Sequence, residues 1–329
     1  MLRLQCKIII EHNAEGGKKI VSFDYVNAIE VKTSTKDFTD TATVKVPRKM
    51  YWKGHNIMEY LKRNDAITIQ MGYSNFGTVA TVFKGYISTI ENSSPIVISC
   101  ENIMRHFKTI TVEPEIIPDF DIADYLAKYA PDVNVICPDN IGFGKVVIKK
   151  RMSLTQALDQ IRQAFPWFKG YFKINGDFVV ITDTEADRNT INLDPERNII
   201  TDNLKYILAE DVKVKIKMTS ILPDNKKLEV TVPEDADSDY EQRQYLSKKT
   251  TAAELKAEAE QRLATFKCDK MSGDITIFGV PFVQKGDIVR LSDKIRTERD
   301  GMKFLAEAVT YSFGENGYRQ RITLGNKIA

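Results

Sequence analysis

Residues 303–324 read KFLAEAVTYSFGENGYRQRITL, and this stretch decides the fold class of the C-terminal region. Apolar and polar residues alternate on both sides of Asn316-Gly317, a dipeptide preferred in two-residue hairpin turns because both turn positions need positive φ. Such alternation is typical of strands that bury one face and expose the other. The stretch therefore predicts an antiparallel hairpin with strands at 303–313 and 318–324.

The first hundred residues show the same two-residue period. It runs through residues 4–10, 41–47, 67–73 and 79–90, with glycine and polar turns between the segments. Short alternating strands separated by turns indicate an antiparallel sandwich or barrel. We therefore predict a first β-barrel domain at 1–102.

A helical period appears next and predicts a small α/β insert domain at 103–185. Residues 121–129 place their apolar side chains on one helical face. The SLTQ stretch at 153–156 has the spacing of a capping box, in which a hydroxyl and an amide satisfy free N–H groups at a helix start. A second Asn-Gly dipeptide at 175–176 predicts a hairpin that closes the insert.

The rest of the chain is predicted to form a linker and a second β-domain. Polar residues dominate 186–210, and strand-like alternation resumes at 211. A helix at 250–267 interrupts the strands of the second β-barrel domain, which extends over 211–329. The predicted fold class is mainly β with an α+β insert, two antiparallel β-barrels flanking a small α/β domain.

Composition is that of an ordinary globular protein long enough for two or three domains. The 329 residues include 47 basic and 45 acidic side chains, for a net charge of +2. This balance argues against a dedicated nucleic-acid binder, which carries a basic excess on one face. No apolar run is long enough to span a bilayer, and the first residues lack a signal-peptide pattern. We therefore expect that the protein assembles in the cytoplasm and does not insert stably into a membrane.

The sequence predicts no catalytic, cofactor or metal site. Its three histidines, His12, His55 and His106, have no recognised spacing to a Cys, Ser or Asp partner. The four cysteines are isolated and form no CxxC pair, so neither a disulfide framework nor a zinc site is expected.

Three other motifs each admit two interpretations. The glycines at 142–144 suggest a phosphate loop, but their spacing and the strand that follows favour a hairpin turn. Asp235, Asp237 and Asp239 suggest calcium ligands, yet the EF-hand glycine and glutamate are missing and a solvated acidic loop is favoured. The aromatic cluster at 165–168 is interpreted as core rather than as a platform for stacking on bases or sugars.

The C-terminal region carries an ordered set of motifs: GVPFVQKGDIV at 279–289, DGMKFL at 300–305 and YSFGENGYRQRI at 311–322. In this order they resemble the C-terminal barrel of the phage tail-hub family, the late control gene D proteins. Relatives of that family form the hub part of type VI secretion spike proteins. The segment VFKGYI at 82–87 is similar to a strand of the family's first barrel.

The resemblance implies a structural, non-enzymatic baseplate hub built from two tail-tube-like barrels per subunit. In this family a homotrimer makes a pseudo-sixfold ring with the tail tube protein on one side and the spike on the other. The resemblance also implies a place in the virion tail and transient passage of DNA through a central channel, without sequence-specific binding. Since the sequence stops after its last strand, we expect the spike to be a separate protein.

Five aromatic residues are the candidates for a subunit or tube interface. Phe83 and Tyr86 lie on the first predicted barrel, and Tyr311, Phe313 and Tyr318 lie on the last hairpin. Alternating aromatic residues serve equally well in a barrel core, so that interpretation stays open for each of them.

Two functions of other classes compete with the hub. The LTQAL stretch at 154–158, after a Val/Ile strand, is similar to the small α/β domains of secretins and TonB-dependent receptors. That likeness suggests a secretin-like envelope ring scaffold, which requires export. A tail-associated cell-wall hydrolase is the third hypothesis, because tail hubs work beside such enzymes.

Overall fold

The computed structural model describes most of the chain, namely residues 3–14, 17–137, 145–165, 169–181, 188–207, 213–221, 227–233, 240–246, 251–266 and 270–328. The glycine turn at 142–144, the aromatic residues at 166–168 and the acidic loop at 234–239 lie outside these ranges. Within them, no helix combines the length and the apolar character that a bilayer span requires.

The N-terminal region is built from strands, as its two-residue period predicts. Its described strands are β1 (Leu4–Ala14), β2 (Gly17–Phe23), β3 (Ala28–Ser34), β4 (Thr41–Val46), β5 (Tyr51–Trp52), β6 (His55–Asn56), β7 (Ala66–Tyr73), β8 (Ala80–Glu91) and β9 (Ile96–Glu101). Val31 in β3 and Val44 in β4 are fully buried, whereas Glu30 and Lys45 beside them are exposed. This alternation gives the sheet one apolar face, which forms the core.

The insert has helices where the sequence predicts them. Its elements are α1 (Met104–Phe107), β10 (Thr111–Val112), β11 (Glu115–Ile117), α2 (Ile122–Tyr129), β12 (Val135–Ile136), β13 (Val146–Ile148), β14 (Met152–Ser153), α3 (Leu154–Ala164), β15 (Lys169–Phe172) and β16 (Phe178–Ile181). Asp121 caps α2, and Ser153 and Gln156 form the predicted capping box of α3. The apolar sides of α2 and α3 pack into a core of the insert's own.

The C-terminal region is also mainly β. Its elements are β17 (Thr190–Leu193), β18 (Ile199–Ile207), β19 (Val214–Ile221), β20 (Lys227–Val232), β21 (Tyr240–Leu246), α4 (Ala252–Phe266), β22 (Lys270–Phe278), β23 (Ile288–Leu291), β24 (Lys303–Gly314) and β25 (Gly317–Ile328). The linker predicted at 186–210 is wrong for β17 and β18, which pair with β23 and β22. Strand β18 is rich in polar residues because it lies at one end of the sheet path and faces solvent.

One sheet runs through both β-regions. It has 13 strands, with β17 and β23 attached beside the path β18-β22-β25-β24-β3-β4-β9-β8-β7-β1-β2. We call the strands from the N-terminal region the N-terminal β-unit, and β17, β18 and β22–β25 the C-terminal β-unit. The predicted fold class, mainly β with an α+β insert, is confirmed. The described pairings do not close either β-unit into the predicted barrel.

A small satellite sheet was expected to be part of the second barrel. Strands β20, β19 and β21 instead form a separate three-stranded sheet, in which β19 and β21 are parallel. The apolar stripe of α4 covers this sheet, and Leu255 and Ala259 pack with Ile216 and Met218 in a separate core. The helix therefore stabilises the satellite sheet and not the large one.

Candidate assembly surfaces and the junction between the β-units

The two β-units are joined by direct pairing of β24 with β3. The antiparallel register runs from Ala308 opposite Ser34 to Phe313 opposite Ile29. Two threonine hydroxyl groups of the N-terminal β-unit donate to carbonyl groups of β24: Thr33 to Val309 at 3.0 Å and Thr35 to Glu307 at 3.1 Å. The backbone ladder therefore holds the two units together as one sheet.

A buried ion pair lies beside this seam. The Lys285 ammonium, in the loop before β23, contacts both carboxylate oxygens of Asp40, at 2.6 and 2.7 Å, in the loop before β4. It also donates to the Ser34 carbonyl at 3.2 Å. Burial raises the pKa of the Asp40 carboxyl and lowers the pKa of the Lys285 ammonium, while each partner opposes the shift of the other. The ion pair therefore links the two β-units, and removal of either residue would leave the other as a buried charge without its partner.

The insert packs against the same place. The Lys285 ammonium lies 5.3 Å from the centre of the Tyr171 ring. Gly286 has a φ of +87°, and a Cβ there would lie 2.1 Å from the Tyr171 hydroxyl, so only glycine fits. The Arg162 guanidinium of the insert lies 4.7 Å from the ring centre of Phe38, which belongs to the β3–β4 loop and is buried in the insert core. All three parts of the chain therefore meet around Lys285.

Asp287 lies next to this junction and is largely buried. Its carboxylate accepts a hydrogen bond from the Gln284 N–H at 2.7 Å. Burial raises the pKa of Asp287 to about 6, although the hydrogen bond and the charge of Lys173 act in the opposite direction. The junction therefore contains a carboxyl group that titrates in a mildly acidic range.

Tyr73 provides a second link between the β-units. Its hydroxyl donates to the Tyr318 carbonyl at 3.1 Å and accepts from the Gly279 N–H at 3.3 Å. A Cβ on Gly279 would lie 1.9 Å from the Tyr318 ring, so the chain passes directly over that ring. The last hairpin is thereby fixed against β7.

A third network, made of hydrogen bonds between charged side chains, holds the loop between β23 and β24 in place. The Arg299 guanidinium binds Asp293 in the same loop and Asp202 of β18, the latter at 2.7 Å. Asp293 also accepts from the N–H groups of Ile295 and Arg296. The loop is held to the end strand of the sheet by charge-assisted hydrogen bonds, which are stronger than neutral ones.

The five predicted interface residues fall into two groups. Phe83, Tyr311 and Tyr318 are only 2%, 1% and 1% exposed, and the structure favours the core interpretation for all three. Tyr86 and Phe313 are partly exposed, and Tyr86 lies beside His106 with 6.3 Å between ring centres. An interface role stays a prediction for these two. The structure brings the five residues into the walls of both β-units and not onto one surface.

The histidines lie apart from one another. His12 Nδ1 lies 2.7 Å from an Asp65 carboxylate oxygen, and His55 lies 3.3 Å from Glu59 on the surface. Among the described residues, no group of three or more His, Cys, Asp or Glu side chains is placed to hold a metal ion. The arrangement around these residues is that of surface and structural contacts.

The sequence patterns do not reveal the residues that join the three parts of the chain. Lys285 lies inside one of the motifs that carry the resemblance, and Asp40 lies in no motif. The available signal was a lysine between the apolar runs VPFV and IV, since a charged residue that becomes buried needs a partner.

The sequence matches no protein-family model and no curated protein. The structure is similar to a tail protein from Neisseria meningitidis MC58, with a TM-score of 0.65 and 14% identity over 99% of this chain and 96% of that one. It is also similar to the 43 kDa tail protein of prophage MuSo2 from Shewanella oneidensis, with a TM-score of 0.62 and 14% identity over 97% and 98% of the two chains.

A third likeness is to an Escherichia coli component of the type VI secretion system. It has a TM-score of 0.52 and 8% identity, and covers 92% of this chain and 73% of that one. That component is itself described as structurally similar to two tail proteins of bacteriophage T4. The chain therefore has the fold of phage tail proteins, shared over nearly its whole length.

Proposed function

We propose that this protein is a structural hub of a phage tail or phage-like injection system, with a mechanical and non-enzymatic role. One observation carries the proposal: the tail-protein fold extends over nearly the whole chain, and one sheet continues through both β-units. A hub that joins two assemblies needs such a rigid wall, because the wall transmits force between them and keeps them in register.

We infer that three copies form a ring around a central channel. Each subunit contributes two β-units, so a trimer presents six units to a hexameric tail tube and three equivalent positions to a spike. Strands β2 and β18 lie at the two ends of the sheet path. Pairing such ends between neighbouring subunits closes a ring and protects strand edges that otherwise promote aggregation.

The partners follow from that ring. We propose that the tail tube protein stacks on one face and a spike protein on the other, with DNA passing transiently through the channel. The place of action is the baseplate of the virion tail, after assembly in the cytoplasm of the bacterial host. The affinity for these partners comes from large buried interfaces.

The mass of the purified protein in solution tests this proposal. Light scattering is expected to give three times the subunit mass of 37.4 kDa for the protein alone, or the mass of three subunits plus the bound spike protein after mixing. A stable dimer under both conditions contradicts the hub assignment, because a dimer cannot match a threefold spike and a hexameric tube.

A further inference from the structure

A strongly basic segment links β4 to β7, and we call residues 45–63 the cationic strap. It contains six basic residues and one acidic residue, Glu59, so its formal charge is +5 in a chain whose total is +2. The basic side chains are all exposed, and they are Lys45, Arg48, Lys49, Lys53, Lys62 and Arg63. Within the described part of the chain, none of the six forms an ion pair with a carboxylate.

The strap is held in place by its apolar side chains. Ile57 and Leu61 are buried in the large core, and Trp52 packs edge-on against Tyr60 with 4.9 Å between ring centres. The Lys53 ammonium lies over the Trp52 ring, 4.6 Å from the ring centre. The apolar side of the strap therefore faces the protein and the cations face outward, with the 65% exposed Tyr51 among them.

One depression of about 460 Å³ opens on the strap. It is lined by Arg48, Lys49, Asn56, Met58 and Asn92. The side-chain Oδ1 of Asn56 accepts from the Met58 N–H at 3.0 Å, which leaves the side-chain NH₂ of Asn56 available to donate. The polar lining thus consists of two cations and two amides with no carboxylate, and this set of donors matches the oxygen atoms of a phosphoryl group.

We propose that the cationic strap binds the phosphodiester backbone of nucleic acid without reading its sequence. The net charge of the whole chain does not reveal this surface, because the basic excess is concentrated in one short segment. The inference goes beyond the proposed hub function, since it concerns a contact that a single subunit makes.

Two features favour nucleic acid over other anionic partners. Protein interfaces are depleted in lysine, whereas four of the six strap cations are lysines, the residue type that commonly neutralises phosphates. A loop that inserts into a membrane interface exposes several apolar side chains, whereas Ile57 and Leu61 are buried here. An extended row of unpaired cations with one exposed aromatic residue fits a long phosphate chain.

Fluorescence anisotropy with a labelled random-sequence duplex tests the proposal. Replacing Arg48, Lys49 and Lys53 by Gln is expected to weaken binding at low salt by roughly tenfold or more, and to flatten the slope of log K against log salt by about 2 to 3. The matched control replaces Lys149, Lys150 and Arg151 of the insert by Gln, which removes the same charge elsewhere. Its affinity is expected to stay within about twofold of the unmodified protein.

Glu59→Gln provides a test that misfolding cannot mimic. Glu59 is the one carboxylate of the strap, and its removal is expected to tighten duplex binding and steepen the salt dependence. Unchanged or weaker binding by this variant contradicts the assignment of the phosphate contact to the strap.

The other outcomes decide against the proposal directly. An equal loss of duplex affinity in the strap and control variants would mean that binding depends only on the net charge of the protein. Absence of duplex binding at low salt also overturns it, as does binding of inorganic phosphate alone or of phosphatidylglycerol vesicles in its place. None of these results affects the mass measurement for the ring. The proposal for the cationic strap can therefore be wrong while the proposal for the ring stands, and the reverse.

Discussion

The Lys285–Asp40 pair joins residues that are 245 positions apart and fixes how the two β-units meet. Transferring two charges out of water is costly, so such a pair adds little stability over a well-packed apolar pair. Its effect is specific, because neither residue can be buried without the other. The tight contact of Gly286 with Tyr171 then places the insert against the same loop.

Lys285→Met is expected to lower the free energy of unfolding by about 3–5 kcal/mol, because the Asp40 carboxylate is left buried without its partner. Urea unfolding followed by circular dichroism measures the change. The control is Lys128→Met, which breaks an exposed pair with Glu115 and is expected to cost about 1 kcal/mol or less.

The double variant Asp40→Leu/Lys285→Met completes the cycle. It is expected to be less destabilised than the sum of the two single variants, because no buried charge remains. Strict additivity of the two single effects would show that the ion pair does not couple the loops.

Asp287 is expected to make stability depend on pH. Its pKa is about 6 in the folded protein against an ordinary value of 3.8, so the folded state binds more protons between these values. Its contribution to stability is therefore complete below about pH 4, is lost as pH rises towards 6, and amounts to roughly 3 kcal/mol.

Asp287→Asn removes this titration and keeps an oxygen that accepts from the Gln284 N–H. The variant is expected to match the unmodified protein near pH 4 and to exceed it in stability near pH 7.5. Urea unfolding of both proteins at the two pH values is the measurement. A difference that does not change with pH contradicts the burial argument.

Among the secondary-structure elements, turns and helix caps are predictable from the sequence, because they depend on interactions between near neighbours in the chain. The hairpin predicted at Asn175-Gly176 is present between β15 and β16, although only Gly176, with a φ of +97°, has the predicted positive φ, and the capping box of α3 is present. These features depend on neighbours within four residues of one another, so the sequence contains them in full.

Strands β17 and β18 are not evident from the sequence, because their pairing depends on residues distant in the chain. Asp202 and Asn203 lie in a strand that pairs on one side and faces solvent, so its composition is that of a linker. The separate sheet under α4 and the Lys285–Asp40 pair were missed as well. Each is created by contacts between residues distant in sequence, which periodicity does not encode.

The satellite sheet is expected to unfold on its own. Its core is small, and Leu255→Ala should cost about 2–5 kcal/mol locally. Hydrogen exchange is then expected to accelerate in β19–β21 while β24 and β25 keep their protection. Leu158→Ala in α3 is the matched control, because it should loosen the insert instead. Equal acceleration throughout the chain would contradict a separate unit.

In the molecule as a whole, the pairing of β24 with β3 makes the two β-units one sheet. The resemblance of the last hairpin and of 279–289 to tail hubs predicted the class of protein, and the solved tail proteins share the fold. The aromatic residues of the hairpin proved less informative. Tyr311 and Tyr318 are core residues, since alternation alone does not distinguish an inner face from an interface.

Rotational averaging of negatively stained particles tests the proposal that three subunits form a ring with a channel. The sample is the peak whose mass is measured by light scattering. We expect annular particles with threefold symmetry, six similar densities in the wall and a central hole. Compact particles with twofold symmetry and no hole, from the protein with and without its spike protein, would contradict it.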